Sequence, residues 1–237
     1  MSTYDFPTDF LWGAATSAHQ VEGNNFGNDW WEAETSGRLA HQSLEACRHY
    51  DLFEQDFDLA QRFGHSAHRF SIEWSRIQPE DDRWDPGALL HYQRVVGSLL
   101  DRGIEPILTL HHFTNPLWLA RRGGWTRPET VDHFSRYVER VASGLDGVRY
   151  WVTINEPTIY AKHGYVYGDW PPFRNGDWLA SFRVLRNMAR AHVRAYEILH
   201  ERQPGAQVGL AHSAPWIVPC DPESIRDRLA AAIRDFL

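Results

Sequence analysis

The sequence is poor in cysteine and lacks any long apolar run. Its two cysteines, Cys47 and Cys220, lie far apart and form no CxxC pair, which argues against a disulfide framework and a thiolate zinc site. No stretch approaches the roughly 18 apolar residues of a membrane span. The N-terminal MSTYDFPTDFLWG has neither the basic nor the apolar region of a secretory signal. These absences predict a reducing, cytoplasmic setting and no membrane partner.

Positive charge is also scarce. The 237 residues include 24 basic and 31 acidic side chains, for a net charge of -7, and Lys162 is the only lysine. Because binding to a phosphate backbone requires a basic face, nucleic acid is not an expected partner. The 43% hydrophobic and 23% charged fractions are typical of a globular protein with a packed core. Several of the 11 tryptophans stand in polar, Gly/Pro-rich stretches, where their flat faces suit sugar rings as well as ordinary packing.

Strand and helix patterns alternate along the chain. Periodicity predicts strands over Leu11–Val21, His65–Ile77, Pro106–Phe113, Arg149–Ile154 and Ala206–Ala211. It predicts helices over Tyr50–Phe63, Pro86–Leu100, Pro128–Leu145, Trp178–Arg202 and Pro222–Leu237. Such alternation implies a parallel sheet, either doubly wound or closed into a (β/α)8 barrel.

The segments that follow the predicted strands favour the barrel. The nucleotide motifs of open sheets, GxGxxG after the first strand and GxxxxGK[ST], do not occur. Polar and aromatic residues instead follow each strand, at the face where barrels carry their active sites. We therefore predict an α/β fold of the (β/α)8 TIM-barrel type. Strands one to five of that barrel are expected to form a single partial domain over residues 1–237.

Glu156 is the strongest candidate for chemistry. It stands in TINEP, after a strand whose residues Trp151 to Ile154 are apolar or β-branched, so its carboxyl is expected to face a desolvated cleft. Asn155 beside it can offer both a donor and an acceptor to a hydroxyl. A simpler interpretation is that Asn155 and Glu156 cap the next helix, since Asn, Glu and Pro are common at helix entrances.

Polar residues at neighbouring strand ends strengthen the catalytic interpretation. Gln20 and His112 join Asn155 and Glu156 at the predicted carboxyl ends of three strands, which converge only in a barrel. His111 and His112 could suggest metal ligands. However, successive side chains of a strand point to opposite faces, so a metal site is not favoured and His112 is expected to be a neutral hydrogen-bonding group.

Arg69 and Glu73 stand four residues apart in the second predicted strand and are expected to share a face. Two interpretations remain open for this pair. It could be a buried ion pair in the barrel interior, or Arg69 could tune the ionisation of a catalytic carboxylate.

Six stretches of the chain resemble the N-terminal half of the retaining β-glycosidases of glycoside hydrolase family 1, the β-glucosidase and β-galactosidase family. They are FPTDFLWGAATSAHQVEG, HRFSIEWSRIQP, LHHFTNPLWL, the GGW that follows, TINEP and GYVYGDWPP. These motifs come in the family's order and span nearly the whole chain, so the resemblance is specific. It implies a hydrolase that cleaves β-linked glucosides or galactosides and needs no metal or organic cofactor.

The resemblance also implies roles for individual residues. Glu156 is the expected acid/base, and Asn155 is expected to contact the sugar 2-hydroxyl. Gln20 and His112 are expected to hold other hydroxyls of the sugar in the cleavage subsite. Arg69 is expected to lie beside the nucleophile and keep it ionised.

The sequence departs from the family pattern in two places. Phe113 stands where the family more often has Trp after the LHH motif. More seriously, the nucleophile of the family is the Glu of a TENG-like motif on strand seven, and no ENG tripeptide occurs in this chain. Glu22 and Glu73 are poor substitutes because neither stands on that strand. We therefore expect a homo-oligomer or a complementing C-terminal half, and the alternative function is a non-catalytic half-barrel fragment.

Overall fold

The computed structural model of the protein describes residues 5–236, with side chains up to residue 234. Its centre is a five-stranded sheet in the order β1-β2-β3-β4-β5, in which every neighbouring pair is parallel. The strands are β1 (Gly13–Ala15), β2 (Ala67–Ser71), β3 (Glu105–His111), β4 (Tyr150–Asn155) and β5 (Gln207–Ala211). Because each strand lies beside the next one in the chain, the sheet is that of a (β/α)8 barrel; the order of a doubly wound sheet reverses.

Helices join the strands and cover one face of the sheet. In the described residues they are α1 (Ala18–Val21), α2 (Asp29–Thr35), α3 (His49–Arg62), α4 (Trp74–Ile77), α5 (Pro86–Asp101), α6 (Leu117–Arg121), α7 (Thr130–Ala142), α8 (Pro157–Lys162), α9 (Trp178–Arg202) and α10 (Ile225–Phe236). A 3-10 turn (Gly124–Thr126) precedes α7, and a π-helical turn (His163–Tyr167) follows α8. None of these helices is both long enough and apolar enough to cross a membrane.

Local sequence explains where the longest helices begin. Asp85 caps α5, since its carboxylate accepts hydrogen bonds from the N–H groups of Gly87 and Ala88, and Pro86 occupies the first helical position. Asp177 caps α9 in the same way, accepting from the N–H of Ala180 at 3.0 Å. These caps account for the close agreement between the predicted and observed starts of both helices.

The core lies between the sheet and the covering helices. The buried face of α7 carries Val131, Phe134, Val138 and Val141 at helical spacing. These side chains belong to one apolar cluster with residues of β3 and β4, such as Trp151, which is 1% exposed. The cluster fixes β2, β3 and β4, and with them the strand ends that carry the polar residues.

The first two predicted strands are too long. The extended segment at Leu11–Val21 ends at Ala15 and turns into α1, so Gln20 lies in a one-turn helix rather than at a strand end. The segment His65–Ile77 likewise ends at Ser71 and turns into α4. Alternation of polar and apolar residues misled the prediction in both places because a single helical turn is too short to show its own period.

The other predicted elements are confirmed with small shifts at their ends, and Trp178–Arg202 is observed as predicted. The predicted end of the last helix at Leu237 lies outside the described residues. β1 and β5 differ from the three central strands in that most of their residues are exposed. Close packing still joins β1 to β2, because a Cβ on Gly13 would stand 2.0 Å from the carbonyl oxygen of Ala67.

Candidate active site

Glu156 lies directly after β4 and just before α8. Its backbone has the left-handed values φ 45 and ψ 60, which are strained for a residue with a Cβ. The N–H of Glu156 donates to the carbonyl of Ala211 in β5 at 2.7 Å, next to a register shift between β4 and β5. Although Glu156 stands at the cap position of α8, its side chain makes no capping hydrogen bond. The capping interpretation therefore does not explain this carboxylate.

Asn155, Arg69 and His112 meet beside Glu156. Arg69 donates from Nη2 to the Oδ1 of Asn155 at 2.6 Å, and the Nδ2 of Asn155 lies 3.4 Å from the Nε2 of His112. Burial lowers the pKa of Arg69, and the nearby charge of Glu156 partly offsets that effect. The structure thus brings together three predicted residues, from β2, from β4 and from the position directly after β3, with the fourth close enough to act electrostatically on Arg69.

His112 is neutral in this environment. Burial lowers its pKa to about 3, and the adjoining guanidinium of Arg69 acts in the same direction. The ring nitrogen Nδ1 of His112 and the Nε of Arg69 are buried and have no hydrogen-bond partner among the described residues. Buried polar groups of this kind are costly unless a ligand or water bonds them, and in the described structure neither atom has such a partner.

Gln20 is not hydrogen-bonded to the other three residues in the described structure. Its exposed side chain accepts a hydrogen bond from the hydroxyl of Ser17 at 2.8 Å, within α1 and its cap. Its predicted contact with a sugar therefore stays a prediction.

His111 and His112 point to opposite sides of the sheet, as predicted for successive residues. His111 packs among the helices, with its ring 5.2 Å from that of Trp125 and 5.7 Å from that of Tyr160, whereas His112 contacts Asn155. Within residues 5–236, no group of three or more His, Cys, Asp or Glu side chains is arranged to hold a metal ion.

The prediction that Arg69 and Glu73 share a face of the second strand is wrong. Glu73 lies beyond the end of β2 and caps α4, where its carboxylate accepts from the N–H and the hydroxyl of Ser75 and from the hydroxyl of Thr114. Arg69 instead donates to Asn155. No ion pair therefore joins Arg69 to Glu73 in the described structure, because the strand ends before position 73.

Glu22 belongs to a buried network with Arg76 and Tyr92. The Nε of Arg76 donates to Glu22 at 2.8 Å, and the hydroxyl of Tyr92 donates to the other carboxylate oxygen at 2.8 Å. Burial raises the pKa of Glu22 to about 7, although Arg76 and Tyr92 both favour its charged form. These contacts give Glu22 a structural role in joining α1 to α4 and α5.

Sequence reasoning missed Asp29 and Asn115. Both oxygens of Asp29 accept hydrogen bonds from Asn115, one from the backbone N–H at 2.9 Å and one from the side-chain amide at 2.8 Å. Burial raises the pKa of Asp29 to about 7, although the hydrogen bonds from Asn115 act to lower it. Asp29 also lines an open cavity of about 480 Å³, together with residues of α2, α6 and the segment 171–174. The signal available in the sequence was only an Asp after Asn at a helix entrance, which is too common to mark a site.

Aromatic rings extend from the site toward solvent. Phe113 lies 4.9 Å from Trp170, which stacks on His163 at 4.4 Å and meets Trp30 at 5.3 Å. The tryptophans of the polar, Gly/Pro-rich stretches do not all share one environment. Trp30 and Trp170 lie beside the polar cluster, whereas Trp125 is a fully buried core residue.

Buried histidines should make stability fall in mild acid. Burial lowers the pKa of His91 to about 4, below its ordinary value near 6.5, so the unfolded chain takes up the proton first. The stability that the neutral His91 ring contributes is fully present above pH 6.5 and is lost as the pH falls toward 4. At pH 5 we expect this residue to have lowered the free energy of unfolding by on the order of 1 to 2 kcal/mol relative to neutral pH.

Chemical unfolding at pH 7.5 and pH 5 measures this effect. His91→Phe, which preserves an aromatic ring beside Tyr50, should lose less stability between the two pH values than the parent protein. His41→Phe, at an exposed position, is the control and should follow the parent. An equal loss in all three proteins would contradict the assignment. Glu22 contributes with the opposite sign, since its raised pKa adds stability as the pH falls.

A parallel sheet with its polar residues at the carboxyl ends of the strands defines this chain as five consecutive units of a (β/α)8 barrel, of the kind that carries an enzyme active site. The chain belongs to glycosyl hydrolase family 1, whose model matches residues 2–236.

Named relatives agree with this assignment. The cytosolic beta-glucosidase of Homo sapiens is 32% identical over 247 residues, covering 95% of this chain and 51% of the human protein. Among solved structures, the beta-glycosidase from Pyrococcus horikoshii has a TM-score of 0.89 and 43% identity, covering 97% of this chain and 53% of its own. The beta-glucosidase from Thermotoga maritima in complex with deoxynojirimycin has a TM-score of 0.90 and 32% identity, with coverage of 96% and 53%. The chain thus spans about half the length of the relatives that it matches.

Proposed function

We propose that this chain supplies one half of a β-glycosidase active site, in which Glu156 is the acid/base of a retaining, two-carboxylate mechanism. The observation that carries the proposal is the hydrogen-bonded set of Arg69, Asn155 and His112 beside Glu156. Arg69 lies within β2, His112 directly follows β3, and Asn155 ends β4. Glu156 first protonates the glycosidic oxygen as the nucleophile attacks the anomeric carbon. It then deprotonates the water that releases the sugar.

The neighbouring residues have distinct roles in this proposal. The amide of Asn155 binds the sugar 2-hydroxyl, and neutral His112 and Gln20 bind other hydroxyls of the same sugar. The unpartnered Nε of Arg69 holds the nucleophilic carboxylate in its ionised form. That carboxylate comes from outside the 237 residues of this chain. No metal or organic cofactor takes part in the steps assigned to these residues.

Binding of a sugar-sized ligand tests the site without requiring turnover. We expect deoxynojirimycin, a small polyhydroxylated amine, to shift the NMR signals of the Asn155 side-chain amide and the His112 ring. The amide of Asn187, which donates to the backbone of Trp125 in the core, is the internal control and should not move. Saturable shifts of the Asn187 amide, or of other signals while those of Asn155 and His112 stay in place, would contradict the assignment, because they would place the ligand elsewhere.

A second candidate is a non-catalytic half-barrel that functions only through association. The observation that favours it is apolar exposure at both ends of the sheet. Trp12 beside β1 is 51% exposed, and Leu229 and Ile233 on α10 are 58% and 60% exposed. The assignment of residues 1–237 to one partial barrel domain is part of the same proposal.

Association should therefore be measurable. Burial of apolar surface stabilises a protein by roughly 25 cal/mol for each Å². Because this surface is exposed in the isolated chain, we expect a dimer, a complementing half or poor solubility. In sedimentation velocity, Leu229→Glu combined with Ile233→Glu should raise the monomer fraction of the isolated chain. Arg228→Glu, an exposed change on the same helix, is the control. A monodisperse, cooperatively melting monomer of the parent protein would count against association.

A further inference from the structure

Asp29 and Asn115 form a reciprocal clamp between α2 and the loop after β3. The carboxylate of Asp29 accepts from the backbone N–H of Asn115 at 2.9 Å and from its Nδ2 at 2.8 Å. In return, the N–H of Asp29 donates to the carbonyl of Asn115 at 3.0 Å. The backbone and the side chain of Asn115 are therefore both held by one residue, 86 positions away in the sequence.

Asn115 is also fixed from its other side. Its Oδ1 accepts from the Nε1 of Trp125 at 2.9 Å and lies 3.1 Å from the Nε2 of His111, and its Nδ2 lies 3.0 Å from the hydroxyl of Tyr160. Asn115 is 1% exposed. It thus connects the clamp to the buried wall formed by β3, α8 and the turn before α7.

The loop that this clamp holds is strained. Phe113 has φ 72, a left-handed value that costs free energy for a residue with a side chain and persists only where the surroundings fix it. The N–H of Thr114 donates to the carbonyl of His112 at 3.0 Å, which closes a tight turn directly after His112. His112 is therefore separated from the clamp by only this turn.

We propose that Asp29 is a positioning residue, which acts through Asn115 to hold the turn after β3 and so to fix the ring of His112 against Asn155. Asp29 touches neither His112 nor Asn155. It orients His112 by fixing both the backbone and the side chain of Asn115, and this opposes relaxation of Phe113 out of its left-handed conformation. The proposal rests on the proposed function only where that function makes His112 a sugar ligand.

NMR of the isolated chain tests this role. In Asp29→Ala we expect the signals of the His112 ring and of the Asn155 side-chain amide to shift or broaden. At pH 8, where Asp29 is mostly ionised, exchange of the Asn115 backbone amide should accelerate by roughly ten- to a hundredfold, as for the loss of a hydrogen bond to a charged group. Exchange in the core of α9 should remain as in the parent. Glu32→Ala, a carboxylate in the same helix whose partner is the exposed Arg121, is the matched control and should leave these signals unchanged.

A swapped pair distinguishes positioning from general destabilisation. Asp29→Asn alone places two amide groups opposite each other and should reproduce the loss. Asp29→Asn combined with Asn115→Asp exchanges donor and acceptor, so it should restore the His112 signals and slow exchange at position 115. Asp29→Asn and the swapped pair also test the proposal if Asp29→Ala does not fold. Unchanged His112 signals in Asp29→Asn, equal changes in Glu32→Ala, or a folded swap that leaves the signals perturbed would overturn the proposal.

These measurements are independent of the proposed function. If deoxynojirimycin does not bind but the swap restores the His112 signals, the glycosidase assignment fails and the positioning role stands. If the ligand binds and His112 is indifferent to Asp29, the positioning role alone fails.

Discussion

The isolated 237-residue chain should hydrolyse an activated aryl β-glycoside at a rate close to that of buffer. Such a substrate has a good leaving group and depends chiefly on the nucleophile, which we place outside this chain. An acid at Glu156 cannot form the glycosyl-enzyme intermediate by itself. Adding a polypeptide with the remaining strands of a family barrel, including its TENG-like Glu, should raise the rate by roughly 10⁴-fold or more, the scale seen when a catalytic nucleophile is lost or restored.

The control for this experiment is the same polypeptide with that Glu changed to Gln. It should bind this chain equally well and leave the rate at the level of the isolated chain. Hydrolysis of the aryl glycoside by the 237-residue chain alone, abolished by Glu73→Gln, would show that the nucleophile is present and that we have misplaced it.

Removal of the acid/base should affect substrates according to their leaving groups. In the complemented protein, Glu156→Gln should lower the hydrolysis of an unactivated β-glycoside by about 10² to 10⁴-fold, the usual contribution of general acid catalysis. The first step on an activated aryl glycoside needs little protonation of its leaving group and should be much less affected. The comparison requires rates for both substrates and a burst experiment that separates formation of the intermediate from its hydrolysis.

Glu105→Gln is the matched control for Glu156→Gln. Glu105 begins β3 and lies at the opposite end of the sheet from Glu156, so the substitution removes a carboxylate from the same barrel without touching the site. It should leave both rates within a fewfold of the parent. Equal losses on both substrates in Glu156→Gln would contradict the acid/base role.

The sequence was most informative where periodicity and caps agree. Pro86 after Asp85 predicts the start of α5, and the long polar–apolar repeat predicts α9 from Trp178 to Arg202, as observed. The same reasoning failed for the single helical turns α1 and α4, which were predicted to be parts of strands. Gln20 lies in the one-turn helix α1 because the chain leaves the sheet at Ala15, and nothing in an alternating segment shows where the pairing with β2 stops.

The candidate site divides in a similar way. The convergence of His112 with Asn155 and Glu156 could be predicted, because parallel strands end at one edge and these residues stand at strand ends. Gln20, predicted to join them, lies in α1 instead, and Arg69 joins them from within β2. The clamp between Asp29 and Asn115 could not be predicted, since it joins the start of α2 to a loop 86 residues away and depends on the path of that loop. The pairing of Glu22 with Arg76 depends on a similar long-range contact between helical turns.

The reaction of a Glu156→Ala variant with azide tests the acid/base role most directly. In the complemented protein, loss of the acid/base leaves the glycosyl-enzyme intermediate to accumulate on an activated substrate, and azide can attack it without proton transfer. Because the nucleophile holds the α face of the sugar, azide must enter from the β face. We predict a faster turnover with azide and a β-glycosyl azide as the product. An α-glycosyl azide would show that azide had replaced a missing nucleophile, and that Glu156 is the nucleophile rather than the acid/base.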